Sequence, residues 1–169
     1  MSTFIKLFLL FLLATVCHWA FALGFGFLGV SVNLMLVFAL AFCTVLKPAF
    51  GYPMAFLCGL FLDFFGTKVF GNNACSFIVA CCIMYHIAPR FDFEGILPQM
   101  LAIFLLTCLT GVLNAWLVLE FSSSVLWPGI GSILGGALIG AICSPAVFLL
   151  VQRTLKDGPM CKTQENASF

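Results

Sequence analysis

The residue best placed to do chemistry is Asp63, a carboxylate inside an apolar stretch. That stretch runs from Gly51 through Gly59-Leu60-Phe61-Leu62 to Gly66 and Gly71, with Asn72, Asn73 and Ala74 behind it. A carboxylate at membrane depth costs roughly 2.5–3.5 kcal/mol on insertion scales, so something must engage it. One reading is functional: Asp63 binds a partner helix, a backbone amine or a proton. The other is architectural: it accepts hydrogen bonds from Thr67, Lys68 or the amides of the turn from Gly66 to Asn73, and fixes a helix end. The second is preferred, because no second intramembrane acid lies nearby for a proton relay, and catalytic carboxylates work in pairs or with a base. At about 100° per residue, Tyr52, Phe56, Gly59, Asp63 and Gly66 share one helix face, where the two glycines would admit a neighbouring backbone.

Other reactive side chains form no recognisable constellation. His18 and His86 are the only histidines, and no Gly-x-Ser-x-Gly motif supplies a nucleophile for either to activate. Each is expected to hydrogen-bond across a helix bundle. Asn33, Asn72, Asn73 and Asn114 fit a small-molecule pocket and interhelical hydrogen bonding equally well. Of nine cysteines, all but Cys161 fall within apolar runs, and none has the spacing of a zinc site. They read as small hydrophobes rather than as a disulfide framework. The sequence thus predicts no catalytic residue, no metal and no cofactor.

The elements that must position these residues are membrane helices. Hydrophobic residues make up 63% of the 169, charged ones only 8%, and mean hydropathy is +1.21. Thirteen charged side chains cannot cover a water-soluble surface. Within lipid only helices and closed barrels satisfy their backbones, and long apolar runs without alternation select helices. A net charge of +1 with no basic cluster argues against nucleic acid as a partner.

Helices are expected at about 4–23, 27–46, 49–66, 70–88, 96–119 and 128–152, within a transmembrane domain of residues 1–153 followed by a polar tail at 154–169. Gly24 to Gly26, Lys47-Pro48 and Pro89 mark the first, second and fourth helix ends. On this count Asp63 lies about 21 Å along the third helix, short of the far edge of a hydrocarbon core about 30 Å thick. Pro145 is expected to kink the sixth helix near one end, and Gly131, Gly135, Gly136 and Gly140 give it overlapping small-x-x-x-small faces for tight packing. The first helix is read as uncleaved rather than as a signal peptide ending at Ala20-Phe21-Ala22. Lys6, Lys47, Arg90, Arg153, Lys156 and Lys162 then share one side and Lys68 the other, which puts both termini in the cytoplasm.

The order of these features resembles the MreD family of bacterial rod-shape-determining membrane proteins. The residues that carry the resemblance are Gly59-Leu60-Phe61-Leu62-Asp63, then Gly66, then Gly71-Asn72-Asn73-Ala74 opening the next helix. Ser144-Pro145-Ala146-Val147-Phe148-Leu149-Leu150 before Arg153 completes it. It implies an all-α bundle of six transmembrane helices, similar to the substrate-binding subunits of energy-coupling-factor transporters. It also implies a non-enzymatic component of the elongation machinery in the inner membrane, helping to maintain rod shape and organise peptidoglycan synthesis. The partner it implies is an MreC-type single-span protein, with RodA, a penicillin-binding transpeptidase and MreB in a larger complex. Gly59, Asp63, Gly66, Gly71, Asn72, Asn73 and Pro145 are the candidate structural or partner-binding residues. A rival of another class is the substrate-specificity subunit of a vitamin or metal importer, which would need convergent polar groups on the external face.

Overall fold

The computed structural model describes residues 3–25, 32–66, 70–88, 95–121 and 129–155. Among them six helices follow one another, α1 (Thr3–Phe25), α2 (Leu34–Val45), α3 (Pro48–Gly66), α4 (Asn72–Ile87), α5 (Ile96–Phe121) and α6 (Ile130–Leu155), with no strand. Four of them, α1, α3, α5 and α6, are long and apolar enough to cross a membrane. Outward-facing large apolar side chains are common on these four, with Phe4 65%, Phe64 69% and Leu97 80% exposed, as a hydrocarbon surround requires.

Helix α2 is the hub of the fold. Its sequence is apolar on every side, and ten of its twelve residues are buried by α1, α3, α4, α5 and α6. The apolar run that predicts a helix over 27–46 is cut short at Asn33, whose Oδ1 accepts the Leu36 amide at 3.2 Å and caps the first turn. Residues 26–31 lie outside the described part. At its other end the chain becomes extended at Leu46, and Pro48 opens α3 where its missing N–H costs nothing. Phe42, Met35, Leu36 and Leu40 of α2 meet Phe77 and Met84 of α4 and Phe148 of α6 in the core.

Neighbouring helices run so that like ends gather. Tyr85, near the end of α4, donates to the Leu46 carbonyl at 3.1 Å, and its ring fills the space over Gly51 at the start of α3. Helices α3 and α4 are therefore antiparallel. Asn114 in the second half of α5 reaches the first turn of α4, and Gly111 lies against Ile133 early in α6. One end of the bundle thus collects Lys6, Lys47 and Arg153, and the other collects Asp63 and Glu120. Lys68, Arg90, Lys156 and Lys162 lie outside the described residues.

Helix α6 stays one continuous helix through Pro145. Proline deprives the carbonyl four residues back, Ala141 O, of its donor. The buried Ser144 hydroxyl donates to that same oxygen at 2.7 Å and replaces the missing bond. Replacing Ser144 with Ala should leave a buried acceptor unpaired and lower stability by about 1–2 kcal/mol. The unfolding midpoint in mixed micelles measures this, and an unchanged midpoint would show that the carbonyl has another donor. Of the glycines expected to pack this helix, Gly136 and Gly140 are buried, with Gly140 facing Val37 of α2, whereas Gly131 faces open space.

Candidate functional site

The site forms where α3 ends and α4 begins. Gly71 precedes α4 with φ +89°, a left-handed conformation that other residues adopt only at a cost of about 1–2 kcal/mol. Glycine offers no side chain to bond the orphan amides of the first helical turn. Asp63, 4% exposed, supplies the missing cap from the preceding helix. Its Oδ1 accepts the Asn73 amide at 3.0 Å and the Asn73 side-chain Nδ2 at 3.1 Å, and its Oδ2 accepts the Ala74 amide at 3.1 Å. A negative charge at the amino end of a helix is also favoured by the helix dipole.

Gly59 makes this cap possible. One turn before Asp63, a Cβ at Gly59 would lie 2.6 Å from Ala74 Cα and 2.8 Å from both Ala74 N and Asn73 O. Only a hydrogen at that position lets α4 come close enough for its amides to reach the carboxylate.

A second layer joins α5. The Ser76 hydroxyl donates to Asn114 Oδ1, Asn114 Nδ2 donates to Asn73 Oδ1 at 2.9 Å, and Asn73 Nδ2 donates to Asp63. All three donors point the same way, toward the carboxylate, so each bond polarises the next. Asn72 Nδ2 donates to the Asn114 carbonyl at 3.4 Å, while Asn72 Oδ1 is buried with no partner among the described residues. This arrangement of one carboxylate, amides and a hydroxyl ties three helices together.

The structure brings Gly59, Asp63, Gly71, Asn72 and Asn73 into this joint and leaves two candidates outside it. Gly66 is exposed, with nothing near the position of a Cβ, so the shared face from Tyr52 to Gly66 does not act as a single packing stripe. The reason is geometric: α4 begins level with Asp63 and runs back toward Gly51, so the turn containing Gly66 lies beyond its end. Pro145 lies in the second half of α6, with the role already described. Thr67 and Lys68, two of the groups expected to face the carboxylate, lie outside the described residues.

The histidines depart from expectation. His86 is exposed, with Nδ1 2.9 Å from the Cys82 carbonyl of its own helix, and His18 Nδ1 is buried without a partner among the described residues. Neither makes the expected bond across the bundle. The cysteines depart as well: Cys43 of α2 and Cys81 of α4 form a disulfide between Cα atoms 6.3 Å apart, both fully buried. A separation of 38 residues carries no motif, and only the packing of α2 beside α4 brings the two together. Ser76 and Asn114 were not singled out with Asp63, although Ser76 lies one helical turn after Asn72 and shares its face. Among the described residues no three His, Cys, Asp or Glu side chains converge as a metal site would require. Compared with protein families, curated proteins and solved structures, the chain matches none.

Proposed function

We propose that this chain is a non-enzymatic scaffold of the bacterial cell-elongation machinery, of the MreD type, that holds an MreC-type single-span partner against its outer helices in the inner membrane. The observation that carries the reading is the fate of the residues on which the resemblance rests. Gly59, Asp63, Asn73 and Ala74 meet in one rigid joint whose contacts serve to hold α3, α4 and α5 in a fixed relation. A chain that uses Asp63, the one buried acid among the described residues, to fix helix geometry, and turns Phe and Leu side chains outward, suits recognition by shape within a bilayer. In this reading all six helices belong to the membrane domain, with α2 and α4 sheltered by the four long ones. The end bearing Lys6, Lys47 and Arg153 faces the cytoplasm with both termini. RodA, a penicillin-binding transpeptidase and MreB join through the larger complex.

The test is co-purification in mild detergent with the full-length MreC-type protein. A stoichiometric complex that survives size-exclusion chromatography is expected, and Gly59→Ala should weaken it. If the folded partner is never retained, the scaffold reading falls. If instead a vitamin binds in stoichiometric amount, the importer-subunit reading replaces it.

A further inference from the structure

Two consecutive rungs join α2 to α4. Cys43 and Cys81 are bonded through their sulfurs, and one turn further along both helices the Tyr85 hydroxyl donates to the Leu46 carbonyl at 3.1 Å. The second rung is the outer one. The exposed Lys47 and His86 directly follow Leu46 and Tyr85 and mark that end of the bundle, so the sulfurs lie only about 6 Å inside it, roughly four residues at 1.5 Å each. On the inner side the next turns carry Ala39, Leu40 and Phe77, all buried in the core. Among the described residues the cover over the sulfurs at the outer end is therefore Tyr85, half-buried, with its ring lying over Gly51.

The covalent bond falls where α2 most needs one. This helix carries no charged side chain, and its buried residues are Leu, Met, Val, Phe, Ala and Cys. In lipid such surfaces gain little by exchanging hydrocarbon for one another, so their association rests on close packing and on bonds between helices. Helices α3, α4 and α5 have the Asp63 network for this, and α2 has the disulfide.

We propose that Cys43 and Cys81 form a redox-sensitive latch on α2, covered by Tyr85 and opened by a dithiol reductant from the end that carries Lys47. In the opening step a reductant thiolate attacks one sulfur, the S–S bond breaks, and the departing cysteine takes up a proton. The second thiol of the reductant then displaces the other cysteine, and the reductant leaves as a disulfide. Two electrons and two protons have passed to the cysteines. Closing is the same exchange run backward with a disulfide as oxidant. The latch is independent of the MreC-type partner. With its outer end in the cytoplasm, where thiols are kept reduced, the Tyr85 cover sets how long the closed form lasts.

Differential alkylation of the full chain in mixed micelles, read by mass spectrometry, tests this. Treated with maleimide in denaturant without reductant, Cys43 and Cys81 should stay unlabelled, and should take up a second maleimide only after reduction. Under native conditions dithiothreitol should open the bond. Tyr85→Phe keeps the ring but loses the hydroxyl, and should speed opening about fivefold, the factor that corresponds to roughly 1 kcal/mol for one hydrogen bond. Ser144→Ala weakens the whole fold without touching the cover, and should leave the opening rate as it is. The reduced chain should unfold about 10 °C below the oxidised one and recover on re-oxidation with glutathione disulfide. Labelling of either cysteine before reduction, or a midpoint that ignores the bond or is not regained, would overturn the proposal. So would no acceleration by Tyr85→Phe, or equal acceleration by Ser144→Ala, which would mean that the bond opens only when the whole fold does.

Discussion

Replacing Asp63 with Ala is expected to lower stability by about 2–4 kcal/mol. The change strips three buried donors of their acceptor: the Asn73 and Ala74 amides and the Asn73 side chain. Each unpaired donor costs about 1–3 kcal/mol. Set against this is the relief of no longer holding a charge at membrane depth, at most about 2.5–3.5 kcal/mol. The loss should exceed the relief because two of the three donors are backbone amides at a helix start, held in place by the helix and unable to turn toward another acceptor. Asp63→Asn keeps the shape but brings an NH₂ group toward donors, and should recover less than half of the loss. Unfolding midpoints of the three proteins in mixed micelles measure the series. Equal midpoints for Asp63 and Ala would remove the carboxylate from the architecture and return it to a role in binding.

Gly59→Ala carries an effect of similar size with an informative sign. In a helix interior with room around it, alanine in place of glycine stabilises by up to about 1 kcal/mol. Here the methyl group meets Ala74 Cα at 2.6 Å, and backbone atoms cannot swing aside as a side chain would. Restoring ordinary contact moves α4 away from α3 by about 1 Å, which takes the Asp63 bonds from 3.0–3.1 Å to beyond the range of a hydrogen bond. A loss of about 3 kcal/mol is expected, combining overpacking with the weakened cap. Because both variants break the same bonds, the double variant should cost less than the sum of the two. Gly66→Ala is the internal control. Its Cβ enters open space, and a neutral or slightly stabilising result is expected. A stabilising Gly59→Ala would mean that α3 and α4 do not approach closely in the membrane.

The parts of this structure legible in the sequence are those governed by neighbours along the chain. Pro48 and the turn before Asn72 set helix boundaries because proline and glycine act locally, on their own dihedral angles and hydrogen bonds. The reach of the Asp63 carboxylate to the next helix could be anticipated for the same reason, since ten residues and one turn separate it from Asn73. Features that depend on which helices lie side by side could not. Cys43 and Cys81, or Gly51 and Tyr85, are distant in sequence and have no shared period to betray them. Helical periodicity put Gly66 beside Gly59 correctly as a matter of angle, but angle says nothing about where the neighbouring helix stops. Asn33 was hidden differently. A polar residue in a long apolar run reads as buried glue, and only the break in the helix shows it to be a cap.

The shortness of α2 governs how the protein can be built. Twelve residues rise about 18 Å, too little to bridge about 30 Å of hydrocarbon, so this helix cannot settle in a bilayer as an independent insertion unit. Of its walls only α1 precedes it from the ribosome; α3 and α4 follow, then α5, then α6. Until Gly140 closes over Val37, that side of α2 stays uncovered, so α6, the last of the six described helices, completes the core around one of the first.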